Sequence, residues 1–414
     1  MFKNLRSGEA AMPFIMLTVL IDMIAIGLII PVLPMMVGSL APQATESEKV
    51  GWYGIVALAF GIANFIGSPI LGALSDRYGR RPVLLLGFCG LALSFFGTAM
   101  ATEMWMLIAV RLFSGALQAN AAVANAYVAD ITAPEDRAKR YGMLGAMFGL
   151  GFILGPVIGG LLGSYNLRWP FFAAGGLAIC NWLYGWFVLP ESLPPDRRTP
   201  FSWKKANPVG SLRHLLELKG IGALVGVIAC LSLSQAILHT TWALYTHIRF
   251  DWTTREIGYS LCAVGLMSVF VQGFVVGRLT KVMSAQKIAT FGLISSTICY
   301  AAWGAAWQGW MMYAVVAVNL FGFAAPSSIQ SLISNAADAR NQGQTMGAVA
   351  GLQSLMIVLA PAIGPFLLQA VAHLPHGDWR IGAPYYLCSL LQAGALGLAL
   401  LHFARLRRAA PALA

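Results

Sequence analysis

Gly72-Ala73-Leu74-Ser75-Asp76-Arg77-Tyr78-Gly79-Arg80-Arg81-Pro82 is the stretch on which the reading of the chain turns. It sets four charges between two apolar runs, 51–73 and 83–101. Each run is about 20 residues long, the length that crosses a bilayer as a helix. A short basic loop between two such runs belongs on the side of the membrane that retains Lys and Arg. Gly72 is expected to let two helices approach closely, and Gly79 to permit a tight turn. Asp76 can pair with the arginines and with helix ends. A loop that only fixed topology would need neither the Asp nor the spaced glycines.

The same pattern extends along the chain. Of the 414 residues 58% are hydrophobic and 10% charged, and the mean hydropathy is +0.71. An ordinary soluble domain is about 25% charged, so soluble enzymes, nucleic-acid binders and disordered proteins are excluded. A β-barrel would show alternating segments of about ten residues. The runs here predict twelve helical spans: 12–38, 51–73, 83–101, 105–129, 141–163, 170–190, 220–247, 256–280, 288–307, 310–333, 345–370 and 383–404. The fold class is therefore an all-α membrane protein.

The net charge of +11 is topological. Of 27 Lys and Arg, 21 fall on the termini and on alternate connections. The opposite loops hold Lys49, Arg168, Arg249, Arg255 and Arg380, and Arg111 alone lies inside a span. Basic residues stay cytoplasmic, which places both termini in the cytoplasm and makes nucleic acid an improbable partner. No cleavage signal precedes the first span, so it is read as mature structure. The six cysteines lie in apolar runs without a CxxC pair and read as small buried hydrophobes. No metal site and no cofactor are expected. No Walker-type nucleotide loop occurs, which argues against ATP-driven pumping.

Segment 191–219, with Pro194, Pro195, Pro200 and Pro208, reads as a cytoplasmic linker. It separates six-helix halves at 1–190 and 220–414. The halves echo each other. Gly72-Ala73-Leu74-Ser75 matches Gly277-Arg278-Leu279-Thr280, and Gly155-Pro156 matches Gly364-Pro365. The second copy of the loop lacks the charges: Lys281 stands for Asp76, and Ala285-Gln286 for the arginine pair.

Polar residues inside the spans are the candidate site. Asp22 is the one carboxyl well inside a span. A carboxyl in hydrocarbon is costly and functional by default; it suits either proton exchange or a structural tie to backbone or to Arg111. At the helical rise, the depths of Asp22 and Arg111 differ by roughly 8 Å, so direct pairing is not guaranteed. On a regular helix Arg111, Gln118 and Asn125 fall within about 40° of one another and Asn120 points away. That polar face suits a water-filled cavity or interhelical hydrogen bonds. Gln235, His239, Trp242 and Thr246 repeat the pattern in the seventh span, where Trp242 suits substrate stacking or an interfacial anchor equally. Asn319 and Gln330 share a face in the tenth.

Gly72-x-Leu74-x-Asp76-Arg77-x-Gly79-Arg80-Arg81 resembles the loop signature of the major facilitator superfamily. The resemblance implies twelve helices in two six-helix halves around a central cavity, with the loop coupling the halves during alternating access. Gly151-Phe152-Ile153-Leu154-Gly155-Pro156-Val157-Ile158-Gly159-Gly160 resembles the G-x-x-x-G-P-x-x-G-G helix of its proton-coupled antiporters. Ile21-Asp22, Gly27 through Pro34, Ala126 through Thr132, Glu135 through Ala138, Leu189-Pro190-Glu191-Ser192, and Trp242 with Arg249-Phe250 look like the tetracycline/proton antiporters. The resemblance covers nearly the whole chain and is firmer in the first half. It implies a monomeric exporter in the bacterial cytoplasmic (inner) membrane, linked to antibiotic resistance. Its partners would be a small-molecule substrate, protons and the lipid bilayer. By alignment, Ser268 and Ser296 stand where that family carries a functional His and Asp. The departure touches tetracycline, carried as a metal chelate, and leaves the antiporter frame in place.

The expected function is thus proton-coupled export of drugs or other amphipathic, aromatic or weakly basic compounds. Asp22 and Arg111 would serve proton coupling, and Gln118, Asn125, Gln235, His239 and Trp242 would contact substrate. The alternative is uptake or exchange of a metabolite, with Arg111 binding an anion. A membrane enzyme would need a catalytic cluster at one interface; His373, His376 and Asp378 match no such motif.

Overall fold

The structure is a computed structural model and describes residues 8–132, 136–203, 222–336 and 342–409. Most of the expected linker, from 204 to 219, lies outside them, as do Glu135 and the chain ends. The described residues contain helices and no strand. The reason is general: in hydrocarbon a chain must satisfy its own backbone polar groups.

The first half comprises α1 (Gly8–Ile29), the short α2 (Leu33–Ser39), α3 (Glu46–Tyr78), α4 (Arg80–Met100), α5 (Met104–Leu117), α6 (Asn120–Ile131), α7 (Arg137–Tyr165) and α8 (Trp169–Phe187). The second comprises α9 (Gly222–Phe250), α10 (Thr254–Phe270), a π turn at Val271–Val275, α11 (Val276–Val282), α12 (Ala285–Ala305), α13 (Gly309–Val318), α14 (Leu320–Ala336), α15 (Gln342–Val371) and α16 (Ala383–Ala409). Among the described residues ten helices are long and apolar enough to cross a membrane, and α13 with α14 makes an eleventh, bent by 48°. The remaining expected span, 170–190, is α8, whose 19 residues reach about 28 Å. Its tryptophans and Asn181 lower its hydropathy.

The chain divides into two compact units. One contains Met1–Gln43, Ile55–Pro208 and Thr253–Gly265; the other contains Ala44–Gly54, Val209–Trp252 and Leu266–Ala414. The division cuts α3 near its start and α10 near its end. Small residues explain where each start packs. In the second unit, Gly51 and Gly54 lie against Gln369, Pro365 and Phe366. In the first, Gly160 and Gly258 bring α7 and the start of α10 into backbone contact, and Thr254 Oγ1 donates to the Gly160 carbonyl at 3.1 Å. Lipid offers helices no hydrophobic drive to associate, so such close approach is what holds them together.

The internal repeat extends to helix caps. Thr45 and Glu48 open α3 with a reciprocal cap, Thr45 N–H donating to Glu48 Oε2 at 2.7 Å. At the start of α10 the N–H and Oγ1 of Thr253 both donate to Glu256 Oε2, at 2.7 and 3.0 Å. Each pair satisfies amides that a helix start leaves open.

The five basic residues outside the basic loops all have partners. Arg168 donates to the carbonyls of Ala99 and Ala101 at 2.9 and 3.1 Å. Arg249, 5% exposed, donates to the carbonyls of Ala306, His376 and Asp378. Lys49 pairs with Glu46 at 2.8 Å, and Arg255 donates to Ser164 at 3.4 Å. Arg380 pairs with Asp378 at 2.6 Å; the Arg380 side chain and amide hold that carboxyl down at about 2. These side chains staple loops and cap helices, so they are exceptions to the charge rule with a structural cause.

Candidate functional site

Asp22 sits on α1, 3% exposed. Its Oδ1 accepts a hydrogen bond from Asn120 Nδ2 at 3.0 Å. The recess around it is walled by Thr18, Val19 and Met23 of α1, Leu84 and Phe88 of α4, Asn120, Ala121 and Ala124 of α6, and Phe148 of α7. It encloses about 10 Å³, the room that about one water molecule needs. Gly87 makes the geometry possible: a Cβ there would overlap Asn120 Oδ1.

Asn120 comes into reach because the fourth span is broken. α5 ends at Leu117, and Gln118 (φ −90°, ψ 94°) and Ala119 (φ −127°, ψ 15°) leave the helix before α6 begins. The Gln118 carbonyl is left without a helical partner and accepts from Asn64 Nδ2 of α3 at 2.6 Å; the Gly115 carbonyl takes the Gln118 amide at 3.3 Å and Asn64 Nδ2 at 3.4 Å. Gly67 and Gly115 let α3 and α5 touch backbone to backbone at this level. The sequence pattern predicts one regular helix over 111–125. Across the break a single helical wheel does not hold. Arg111 is buried and donates to Thr98 Oγ1 of α4 at 2.7 Å. Gln118 is half-buried and Asn125 exposed. Asn120, which that wheel pointed away from the polar face, is the residue that meets Asp22. Asn64 and Asn120 lie outside the expected site residues; an amide inside an apolar span is the signal that points to them.

The second unit contains a counterpart break at Asn319 (φ −76°, ψ 34°), between α13 and α14. Asn319 is 6% exposed and accepts from Ser295 Oγ of α12 at 3.0 Å. Gln330, expected on its face, is exposed on α14. On α9, Gln235 and His239 are exposed. Trp242 is not: it is 2% exposed and edge-on to Trp303 and Tyr385, at 5.5 and 6.5 Å. Thr246 is likewise buried and bonds back to the Trp242 carbonyl at 2.8 Å. The four share a stripe by angle, but α12 and α16 cover its Trp242 end. Ser268 accepts from Gln272 at 2.9 Å, and Ser296 is buried beside Gly322.

The charged loop forms one cluster at the basic end of the first unit. Arg80 pairs with Asp76, with Asp130 of α6 at 3.0 Å, and with Ser75 Oγ at 2.6 Å. Glu191 accepts from the amides of Arg80 and Arg81, at 2.8 and 3.2 Å. Arg81 donates to the Trp186 carbonyl, and Arg77 lies 5.0 Å from the Tyr78 ring centre. Ser192 donates to Asp130 at 3.2 Å, and Tyr127 to the Pro190 carbonyl at 2.9 Å. Gly79 has φ 107°, a backbone that L side chains rarely adopt. The close approach expected at Gly72 is not found among the described residues, where a Cβ would meet nothing within 4 Å.

Gly151, Gly155 and Gly159 all face α1, where added Cβ atoms would strike Met23, Gly27 and Leu28. Gly160 faces α10 instead, and Pro156 lies between, inside the helix. The glycine helix is thus packed one turn from Asp22. Among the described residues no three His, Cys, Asp or Glu side chains group as a metal site.

Residues 15–361 match the family model of the Major Facilitator Superfamily. The chain is 35% identical over 374 residues to the class C tetracycline resistance protein of Escherichia coli, covering 90% of this chain and 93% of that one. It is 34% identical over 368 residues to the class D tetracycline resistance protein of Salmonella ordonez, covering 89% and 92%. The crystal structure of the human organic anion transporter MFSD10 (TETRAN) superposes with a TM-score of 0.69 at 23% identity, covering 95% and 99%. That last likeness concerns the fold alone. The fold, the family match and the two relatives together place the chain as an integral membrane transporter: it belongs to the Major Facilitator Superfamily, among the tetracycline resistance proteins.

Proposed function

We propose that the protein is a secondary active exporter of amphipathic, aromatic or weakly basic small molecules, driven by inward proton flow across a bacterial cytoplasmic membrane. The observation that carries this reading is Asp22, a carboxyl inside the first span, buried beside an amide donor and room for one water. Such a group exchanges its proton when its surroundings open to water on either side. Arg111, buried on the neighbouring half-span, supplies the positive charge that a released proton leaves room for. Gln118, Asn125, Gln235 and His239 are the polar contacts for substrate, with Trp242 stiffening the aromatic core behind them. The loop from Gly72 to Arg81 gates the cytoplasmic side, where both termini lie. The halves 1–190 and 220–414 act as the moving bodies, the linker 191–219 joins them, and the monomer is the working unit.

The relatives' names support drug export as the direction. The serines at positions 268 and 296 supply no charge to a metal-chelated cargo, so uncharged or singly charged aromatic compounds suit this chain better than tetracycline.

Inside-out vesicles with an acidified lumen test the reading. Tetracycline with magnesium is added first, then a panel of aromatic and amphipathic drugs, while lumenal proton loss is followed. Proton loss with the panel and not with tetracycline is expected. Proton loss with tetracycline would contradict the cargo assignment, and no response to any compound would contradict proton-coupled drug export.

A further inference from the structure

α6 is a 12-residue helix about 18 Å long, and it is bonded at both ends to charged groups. At its start Asn120 donates to Asp22. At its end Asp130 accepts from Arg80 at 3.0 Å and from Ser192 at 3.2 Å. One turn before that, Tyr127 donates to the Pro190 carbonyl. The break at Gln118 and Ala119 interrupts the helix between α5 and α6, and Asn64 donates to the carbonyls of Gly115 and Gln118 there. The helix can therefore shift along its axis without breaking a continuous ladder of backbone hydrogen bonds.

We propose that Asn120 is a positioning residue for the proton step: it reads the charge on Asp22, and α6 carries that reading to the Arg80 cluster. The inference rests on the proton role of Asp22. An ionised Asp22 accepts from Asn120 Nδ2, a charge-assisted bond that draws the start of α6 toward α1. When Asp22 takes up a proton, that charge is gone and the acid O–H needs an acceptor. Thr18 offers one: its Oγ1 is buried in the same recess with no hydrogen-bond partner among the described residues. The recess has room for about one water to bridge them. The bond to Asn120 then weakens, and the Asp130 end of α6 shifts against Arg80.

Among the described residues that wall the recess, Asp22 is the one titratable side chain. α4, α6 and α7 present Leu84, Phe88, Asn120, Ala121, Ala124 and Phe148 to it. α8 presents Asn181, which donates to the Thr18 carbonyl, and Tyr184, which packs on Phe14. Arg111 of α5 is the buried charge of the neighbouring half-span and stays cationic throughout.

The test is hydrogen–deuterium exchange on the full-length transporter in lipid nanodiscs, at a pH on either side of the transport midpoint and corrected for intrinsic exchange. Wild type is compared with D22N, N120A and N120S. Peptides covering 74–82 and 190–199 are expected to change protection about fivefold between the two pH values in wild type. D22N should fix them in the low-pH pattern at both. N120A should lose the change, and N120S, which keeps a short donor, should retain part of it. In substrate-exchange assays N120A should move the pH midpoint upward by about one unit, because the ionised carboxylate loses its donor. If N120A follows wild type while D22N is fixed, the Asn120 inference is overturned and the proton reading stands. If D22N follows wild type, the proton reading itself fails. If wild type shows no change, transmission through α6 is overturned.

Discussion

Arg80 Nε and Asp130 Oδ2 stand 3.0 Å apart across 50 residues of sequence. This bond ties the charged loop to the end of the fourth span. Arg80 also holds Asp76 and Ser75, so one guanidinium organises three acceptors at once. Its planar fork suits that task, and an ammonium does not. R80A leaves two carboxylates without their partner and should cost about 3 kcal/mol of stability. R80K should recover less than half of that loss. Thermal unfolding of the purified proteins in detergent measures both.

Gly79 combines φ 107° with a carboxylate where its Cβ would be, that of Glu191. G79A should therefore destabilise the loop by about 1–2 kcal/mol and loosen the amide bonds to Glu191. Faster exchange of the Arg80 and Arg81 amides would report it. Unchanged protection there would contradict the geometry.

The glycine helix offers a paired comparison. A Cβ on Gly155 would lie 2.6 Å from Gly27 Cα, whereas Gly145 on the same helix faces open space. G155A should cost about 1–3 kcal/mol, because backbone cannot yield as a side chain does. G145A should be neutral or stabilising by about 0.5 kcal/mol. Melting temperatures of the two variants in one detergent separate packing from helix propensity.

Two residues on one stripe of α9 should behave oppositely. W242A empties a buried aromatic site and should cost about 3–5 kcal/mol. Q235A should leave stability within about 0.5 kcal/mol and instead raise the substrate concentration needed for half-maximal transport. A stable W242A with weakened substrate binding would move Trp242 from the core to the binding surface.

Asp378 provides a pH control. Its carboxyl is lowered from 3.8 to about 2 by Arg380. A lowered value means its contribution is complete above about pH 4 and fades as pH falls toward 2. Arg380 is exposed and Asp378 half-buried at the surface, so the effect of the pair on stability is small. D378N should leave the pH profile of transport between about pH 5 and about pH 8 unchanged. A changed profile would give this loop cluster a role that its geometry does not suggest.

The sequence carried the architecture well, and for physical reasons. A bilayer demands helices of one length, and the basic residues sort by side, so spans and loops are written in composition. Asp22 was legible because a carboxyl in hydrocarbon stands out. Its partner was not: Asn120 lies 98 residues away, and no Pro or Gly at 118–119 announces the break that aims it. The cause is tertiary, the close approach of α3 and α5 at Gly67 and Gly115. Trp242 shows the converse. Angle alone put it on a polar stripe, while burial depends on which helices cover that end of α9.

The most direct test of the central claim compares two assays on purified D22N in proteoliposomes. One is substrate accumulation driven by an imposed proton gradient. The other is substrate counterflow with no gradient. Accumulation lost with counterflow retained is the predicted result, because the cycle then runs without its proton step. Accumulation at wild-type level with unchanged proton dependence would contradict the role of Asp22.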